Sequence, residues 1–204
     1  MRIFVAGASG VLGIRLVPLL VAAGHDVAGI TRTPEKAEHL RRLGADPVVC
    51  DVFDREALRQ AVVAFRPEAV VNQLTDLPDK PALRNDANKR MRREGTQNLI
   101  AAARTAGARR FVCQSIAWRI EGDGGEAVAE MERAVLEVGG VVVRYGRLYG
   151  PDTYYPTDKP EPPRVHVEDA ARRTLPAISA VRGVVEITDA HHGYRFARPM
   201  RVLR

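Results

Sequence analysis

The chain has 204 residues, of which 46% are hydrophobic, and a formal net charge of +6. This length suffices for one well-packed domain, and no apolar stretch approaches the roughly 20 residues of a membrane-spanning helix. The N-terminus also lacks the apolar core and cleavage site of a secretory signal, so we expect a cytoplasmic protein that does not enter a membrane.

A glycine-rich turn follows the first predicted strand, residues 2–6. The turn reads Gly7-Ala8-Ser9-Gly10-Val11-Leu12-Gly13. Glycine permits unusual dihedrals and close backbone approach, and a helix that begins within the turn supplies partial positive charge. A glycine triplet between a first strand and a helix predicts a dinucleotide site. The alternative is a turn that serves only helix–strand packing.

Strands and helices alternate along the rest of the chain. Further strands are predicted at 27–31, 47–50, 69–73, 110–114, 141–144 and 183–188. Helices are predicted at 11–23, 34–43, 54–65, 85–106, 126–138 and from about 168 onward. The strands are apolar on both faces, as expected between two helix layers. The pattern predicts an α/β fold with a doubly wound parallel sheet, the Rossmann fold.

We expect residues 1–204 to form a single domain. A proline-rich loop at 150–164 leaves the C-terminal end of a strand, where such sheets bind ligands. Basic residues cluster at 89–93 and in the tail 191–204, where no acid accompanies them. A solvated helix face and an arginine-rich tail are favoured there over a nucleic-acid surface. Cys50 and Cys113 end apolar runs, which favours buried thiols over a disulfide.

The end of the second strand predicts which dinucleotide is bound. Enzymes that prefer NAD commonly place an acid there to bond the ribose 2′-hydroxyl. This chain has Thr31 and Arg32 instead, and an arginine can pair bidentately with a 2′-phosphate. We therefore expect NADP, with NAD as the alternative. Asp51 and Val52, after the third strand, are placed to bond the adenine amino group or simply to form a turn.

Several segments in order resemble one known family. They are the glycine turn, Asp51-Val52, Gly95-Thr96-Gln97-Asn98-Leu99, Gln114-Ser115, Arg144-Tyr145-Gly146-Arg147-Leu148-Tyr149-Gly150-Pro151 and His166-Val167-Glu168-Asp169-Ala170. Together they resemble the NAD-dependent epimerase/dehydratases of the extended or atypical short-chain dehydrogenase/reductase superfamily. The resemblance implies that Gln73, Leu74 and Thr75 line the cofactor. It also implies a homodimer through helices 85–106 and 126–138, although the basic cluster lies on the first.

The chain departs from this family at its catalytic pair. The family uses a Ser or Thr, a Tyr as general acid/base, and a Lys four residues later that lowers the pKa of the Tyr. Ser115 stands at the serine position. Counting back from Glu132, which resembles a family glutamate, places Gly124 at the Tyr position and Val128 at the Lys position. The usual proton-transfer machinery is therefore absent.

The remaining catalytic candidates are Ser115 and, on the cleft side, Tyr145. Capping a turn and packing are the alternatives for these side chains. Another departure is Arg92, which replaces the family's helix asparagine. No metal site is predicted, and the C-terminal substrate lobe is much reduced, so a bulky nucleotide sugar would have little protein to hold it.

Two functions fit these observations. The first is an NADP-dependent oxidoreductase that acts on a small, activated substrate, for which a protein acid is dispensable. The second is a catalytically inactive NADP-binding sensor or interaction protein. The retained Ser115 and the cleft-side segment at 144–151 favour the enzyme. The missing Tyr and Lys, the small substrate lobe and the arginine-rich surfaces favour the sensor or interaction protein.

Overall fold

The computed structural model describes residues 1–77, 86–180 and 182–190, together with the backbone of residues 195 and 196. The strands are β1 (Arg2–Ala6), β2 (Asp26–Thr31), β3 (Asp46–Val49), β4 (Ala69–Asn72), β5 (Arg110–Ile116), β6 (Val141–Tyr145), β7 (Arg147–Tyr149), β8 (Arg164–His166), β9 (Gly183–Ile187) and β10 (Arg195–Phe196). The main sheet has the order β10-β9-β6-β5-β4-β1-β2-β3. All its pairs are parallel except β9 with β10. The predicted Rossmann fold is confirmed.

Helices cover both faces of this sheet. They are α1 (Gly13–Ala22), α2 (Ala37–Arg42), α3 (Arg55–Phe65), α4 (Asp86–Arg90), α5 (Thr96–Thr105), α6 (Gly122–Glu137) and α7 (Val167–Ser179). One core cluster packs α1, α2 and α7 against one face, and a second packs α3, α5 and α6 against the other. None of the helices in the described part of the chain is long and apolar enough to cross a membrane.

Two predicted helices are less regular than expected. The helix predicted at 34–43 begins as a 3-10 turn, Pro34–Lys36, and Thr33 before it makes no side-chain capping bond. The helix predicted at 85–106 contains a π-helical segment, Met91–Gly95, between α4 and α5. By contrast, Asp54, the aspartate at the start of the helix predicted at 54–65, caps α3, because its side chain accepts from the Ala57 amide at 3.0 Å.

Strand alternation assigns the catalytic candidates to opposite faces. Successive strand residues point to opposite sides of a sheet. Ser115 on β5 is paired in register with Arg144 on β6, and both point toward α6. Tyr145, the next residue, belongs to the core cluster shared with α1 and α7. Ser115 and Tyr145 therefore cannot act on one group from the same side.

The chain after β6 adds little beyond the main sheet. β7 and β8 form a separate two-stranded parallel ribbon, and the proline-rich loop connects them. The other elements there, within the described residues, are α7, β9 and β10. Both cysteines are free; Cys113 is buried as predicted, but Cys50 is only half-buried because it follows the edge strand β3.

Candidate functional site

The glycine turn closes by direct backbone contact, which requires glycine at two of its three positions. Gly7 has a φ of +82°, and a Cβ there would lie 2.6 Å from the Gln73 carbonyl group. A Cβ on Gly13 would overlap the Gly7 carbonyl oxygen. At Gly10 the same test gives only one contact, at 3.3 Å, and this residue is exposed. Gly7 and Gly13 therefore shape the turn, and Gly10 forms its open side.

The start of α1 has no side-chain cap and no acid of its own. The residue before the helix, Leu12, makes no side-chain capping bond, and the first turn contains no acid. Ser9 in the turn bonds to Thr31 at the end of β2, with 3.3 Å between the hydroxyl oxygens. The backbone amides of residues 14–16 donate to the carbonyls of Gly10 and Leu12, so it is the helix dipole that favours an anion at this end.

Arg32 projects from the end of β2 and has a partner that the sequence analysis missed. Its guanidinium lies 3.1 Å from the carboxylate of Asp76, which follows β4. The Asp76 amide donates to the side-chain oxygen of Asn88 at 3.1 Å. Parallel strands bring their carboxyl ends together, so an acid after β4 was the available signal.

The Asp51–Val52 turn is held from two sides. Asp51 accepts the Phe53 amide at 2.9 Å through Oδ1, as in an Asx turn. Val52 is buried, and its carbonyl oxygen accepts from the Asn98 side chain at 3.0 Å. These contacts fit the turn-forming alternative, and the adenine contact stays a prediction.

The end of β4 is fixed by side-chain amides. Asn72 donates to Thr96 at 3.1 Å and accepts the Leu74 amide at 3.0 Å. The Gln114 amide donates to the Leu74 carbonyl at 2.7 Å. Thr75, next along the chain, is exposed. Thr96 therefore supports the end of β4, which is paired with β1, whereas Asn98 supports the turn after β3.

Ser115 lies in a buried ion-pair network. Its hydroxyl donates to Glu132 Oε1 at 2.6 Å, and the same oxygen accepts from Arg144 Nε at 2.8 Å. All three side chains are buried. With the hydroxyl hydrogen engaged, the geometry favours a structural role for Ser115, while its catalytic role stays a prediction.

Tyr145 lies in a second buried network, on the opposite sheet face. Its hydroxyl oxygen is 2.6 Å from the Thr174 hydroxyl of α7 and 3.2 Å from Gln73 Nε2. The Thr174 hydroxyl donates to the Ala170 carbonyl at 2.7 Å. Gln73 Oε1 is buried and has no hydrogen-bond partner among the described residues. The network therefore joins α7 to the strand end beside the glycine turn.

The basic cluster at 89–93 is largely neutralised by acids of α6. Lys89 Nζ lies 2.6 Å from Asp123, and Arg93 lies 2.7 Å from both Asp123 and Glu130. Hydrogen bonds from Lys89 and Arg93 lower the pKa of Asp123. The cluster thus joins two helices of one chain, which supports the prediction that it is not a nucleic-acid surface.

Arg92 is the exception in this cluster. It is half-buried, and its guanidinium is 4.0 Å from the Met131 sulfur, three residues beyond Val128. Burial lowers the pKa of Arg92, and the nearby Cys113 and Glu132 oppose that shift. A cation therefore reaches the face of α6 on which the family lysine is replaced.

Arg15 of α1 connects the proline-rich loop to the glycine turn through hydrogen bonds and ion pairs. Arg15 donates to the Val11 carbonyl at 2.9 Å and to the Pro151 carbonyl at 3.0 Å. It also forms ion pairs with Asp152 at 2.9 Å and Glu168 at 2.7 Å. One side chain therefore holds the start of the loop beside the predicted dinucleotide site.

The far side of the cleft carries aromatic and cationic groups. The Arg147 guanidinium lies 5.0 Å from the Trp118 ring centroid and donates to the carbonyls of Glu161 and Pro162. The Tyr149 hydroxyl donates to Asp189 at 3.0 Å; burial and that bond raise the pKa of Tyr149. Tyr149 therefore stays protonated at neutral pH.

A surface groove lies elsewhere, at the amino ends of β5 and β6. Its lining includes Arg109, Phe111, Val141 and Ile178. Parallel α/β sheets bind ligands at the carboxyl ends of their strands. We therefore place the candidate site at the glycine turn.

The residues at the carboxyl edge fit a dinucleotide. The turn offers backbone close to a ligand without side chains, and the dipole at the start of α1 favours a pyrophosphate there. Gln73 offers an unused acceptor beside the turn. The structure brings together the predicted residues Gly7, Ala8, Ser9, Gly10, Val11, Leu12, Gly13, Thr31, Arg32, Gln73 and Leu74 at this edge.

Comparisons with known proteins agree with this fit. A family model described as NAD(P)H-binding matches residues 7–138. The chain is 38% identical over 235 aligned residues to a 3-diazoavenalumate denitrifying reductase of a Streptomyces species, covering 93% of this chain and 76% of the relative. It is 35% identical over 112 residues to a 4-hydroxy-2-methyl-3-oxo-4-farnesyl-3,4-dihydroquinoline-1-oxide ketoreductase of Stigmatella aurantiaca, covering 55% of this chain and 32% of that protein.

The solved structures agree at the level of the fold. The UDP-glucose 4-epimerase of Thermus thermophilus, in complex with NAD, has a TM-score of 0.77 and 21% sequence identity. The match covers 95% of this chain and 79% of the epimerase chain. At this identity the likeness concerns the fold alone.

Proposed function

The chain belongs to the NAD(P)H-binding family, and we propose that it is an NADP(H)-dependent reductase of a small, activated acceptor. Family membership and the Rossmann fold make it an NAD(P)-binding, oxidoreductase-like protein with reductase relatives. The preference for NADP, the residues that hold the cofactor and the kind of acceptor are the proposal. One observation carries it. The glycine turn is open on the side of Gly10, while Gly124 and Val128 occupy the positions of the Tyr and Lys that usually transfer the proton.

The glycine turn and α1 would hold the pyrophosphate. Gly10 forms the open side of the turn, and the dipole of α1 favours negative charge there. Asp51 and Val52 would face the adenine, and Gln73, Leu74 and Thr75 the nicotinamide half. When bound, a reduced nicotinamide supplies a hydride to an acceptor held in the cleft.

Arg32 supports NADP over NAD. Its side chain is exposed at the end of β2, and a guanidinium can pair bidentately with a 2′-phosphate. Asp76 now accepts from that guanidinium, so a 2′-phosphate would compete with Asp76 for it. Selectivity for NADP is therefore set by Arg32 and reduced by Asp76.

The acceptor must be one that needs no proton from the protein. Gly124 and Val128 carry no proton donor, Ser115 donates to Glu132, and Tyr145 lies on the other sheet face. An electron-poor carbon can accept a hydride without acid assistance, since the hydride neutralises its positive charge. Binding and alignment would then supply the rate enhancement.

The Streptomyces relative suggests the acceptor class, because its name describes reduction of a diazo compound with loss of nitrogen. We propose a diazonium-type acceptor for this chain also. Its carbon gains hydrogen with both hydride electrons, and the electrons of the breaking C–N bond leave with N₂. The products are R–H, N₂ and the oxidised nicotinamide, so no proton is consumed.

Turnover with a benzenediazonium salt tests this function. We expect protein-dependent loss of NADPH absorbance, deuterium transfer from labelled NADPH into benzene, and a rate that is flat from about pH 6 to 9 because no general acid titrates. The variant Gly10→Ala, whose Cβ would stand on the open side of the turn, is the control for uncatalysed reduction. NADPH binding without any turnover of diazonium or quinone acceptors would instead support the sensor function.

Oligomeric state and location belong to the same proposal. We propose a cytoplasmic protein, in keeping with its free thiols. A homodimer through α4–α5 and α6 follows from the family resemblance, and sedimentation velocity tests it.

A further inference from the structure

We propose that Thr174 is a positioning residue: through Tyr145 it fixes the orientation of the Gln73 carboxamide and keeps Gln73 Oε1 available to the nicotinamide riboside. This inference rests on the proposed function, because it requires NADPH or NADH at the glycine turn. Thr174 lies on α7, far along the chain from the cofactor segments. Neither the family model, which ends at residue 138, nor the sequence motifs assign it a role.

The argument starts from the single hydroxyl hydrogen of Thr174. Its oxygen lies 2.7 Å from the Ala170 carbonyl oxygen, one helical turn earlier, so Thr174 must donate there. The Tyr145 hydroxyl is 2.6 Å from the Thr174 oxygen. Since the threonine hydrogen is already engaged, Tyr145 must be the donor in this second bond.

The same reasoning extends to Gln73, the next group in this series of hydrogen bonds. Its side-chain amide lies 3.2 Å from the Tyr145 oxygen. Tyr145 has already given its hydrogen to Thr174, so Gln73 must donate, and only its Nε2 can do so. This forces Oε1 to point away from Tyr145. The oxygen and nitrogen ends of a carboxamide have nearly the same shape. Here a threonine two hydrogen bonds away determines which end faces Tyr145.

Because these side chains are buried, the direction of their hydrogen bonds affects the free energy of binding. Gln73, Tyr145 and Thr174 are 6%, 3% and 1% exposed, so water does not readily replace a lost partner. Gln73 Oε1 has no hydrogen-bond partner among the described residues, and an unpaired buried carbonyl oxygen is costly. An acceptor kept in this state calls for a donor that arrives with a ligand.

The place of Gln73 identifies the donor. Its backbone amide donates to Ala6 at 2.8 Å, and its carbonyl group lies against Gly7 of the phosphate-binding turn. A dinucleotide on that turn offers two kinds of donor in its nicotinamide half: ribose hydroxyls and the carboxamide NH₂. Both are shared by NADPH and NADH, so this contact strengthens either cofactor without discriminating between them.

Thr174→Val tests the inference because valine preserves the shape and removes the hydroxyl. Tyr145 then loses the Thr174 oxygen as acceptor and can turn its hydrogen to Gln73, whose carboxamide flips and presents Nε2 instead of Oε1. We expect affinity for NADPH and NADH to fall equally, by about 3- to 10-fold. Thr174→Ser keeps the hydroxyl and should restore wild-type affinity.

A double variant separates orientation from simple damage. Adding Tyr145→Phe to Thr174→Val removes the hydrogen that locks the wrong orientation, so the double variant should bind NADPH better than Thr174→Val alone. Additive losses would overturn the inference, as would unchanged NADPH affinity in Thr174→Val. ADP, which lacks the nicotinamide riboside, should bind every variant like the wild type; a parallel loss of ADP binding would show a distorted turn and also overturn it.

Two further measurements distinguish a failure of the proposed function from a failure of this inference and identify the donor. If the wild type binds neither NADPH nor NADH, the proposed function fails first, whatever the variants do. ADP-ribose identifies the donor: a loss with Thr174→Val assigns the ribose hydroxyl to Gln73 Oε1, and no loss assigns the nicotinamide carboxamide, with both results supporting the inference.

Discussion

Ser115 and Arg144 are register partners on adjacent parallel strands, and both side chains donate to one carboxylate, that of Glu132. The arrangement places a salt bridge in the interior, with the Arg144 and Glu132 side chains 7% and 2% exposed. A residue expected to be catalytic is thus one of the groups that satisfy a buried charge. The network favours a structural role for Ser115, and its catalytic role stays a prediction.

Removal of Glu132 should be strongly destabilising. Glu132→Ala removes the carboxylate that neutralises the buried Arg144 guanidinium, which typically costs about 3–5 kcal/mol in the free energy of unfolding. Urea denaturation measures this loss. Glu130→Ala is the matched control, since Glu130 is on the same helix but pairs with Arg93 at the surface. Equal losses in the two variants would contradict the buried-network account.

Ser115→Ala should show whether Ser115 contributes to stability or to catalysis. We expect a decrease of about 1 kcal/mol in unfolding free energy, since Glu132 keeps its two bonds from Arg144. Affinity for NADPH should stay nearly unchanged, as should the rate of diazonium reduction. A large fall in turnover with normal NADPH binding would return Ser115 to a catalytic role.

Arg32 and Asp76 should have opposite effects on cofactor choice. Arg32→Ala should weaken NADPH binding by about 10-fold or more while barely changing NADH binding, because a charged bidentate contact is lost. Asp76→Asn should strengthen NADPH binding, because it removes the competing carboxylate. Fluorescence titrations with both cofactors measure the effects. Equal losses for NADPH and NADH in Arg32→Ala would refute the assignment.

The Asp123 ion pairs should give a defined pH dependence. Because Lys89 and Arg93 lower the pKa of Asp123 in the folded state, its ionised form contributes stability above the unfolded-state pKa of about 3.9. That contribution is lost as the pH falls through the lowered folded pKa. The Tm difference between wild type and Asp123→Asn should therefore be constant from pH 7 to about 5 and shrink below about 4.

The control for this titration is Asp158→Asn. Asp158 is exposed and, in the described part of the chain, forms no ion pair. Its substitution should leave Tm unchanged at every pH. A difference for Asp123→Asn that grows toward acid would contradict the sign of the pKa shift.

Gly13 and Gly10 should respond differently to alanine. Gly13→Ala should destabilise the fold, since its Cβ would overlap the Gly7 carbonyl oxygen. Gly10→Ala should cost much less stability than Gly13→Ala, because its Cβ meets only that oxygen, at 3.3 Å, yet it should weaken NADPH and NADH binding. Thermal unfolding and titration of the same samples measure both. Normal cofactor binding by Gly10→Ala would favour a turn that serves packing alone.

The sequence was sufficient for the parts of this account that depend on local pattern. The apolar strands, the glycine turn and the cap at Asp54 each depend on a few neighbouring residues, and the parallel sheet follows from their alternation. The π-helical segment was not predictable in this way. There Gly95 packs against Met91, and a Cβ would lie 2.8 Å from the methionine sulfur, a contact that periodicity does not encode.

The sequence analysis also did not predict contacts between residues that lie far apart in the chain. The sequence analysis singled out Arg32 but not Asp76, and Tyr145 but not Thr174, because each partner lies on another element. The orientation of Gln73 required the direction of three successive hydrogen bonds. Such groups become visible only when strand order and face are known.

The most direct test of the central claim is a fluorescence titration of the purified protein with NADPH and, separately, with NADH. Our account predicts micromolar binding with a clear preference for NADPH. Failure to bind either cofactor would contradict it, and would mean that the glycine turn serves only the packing of α1 against the sheet.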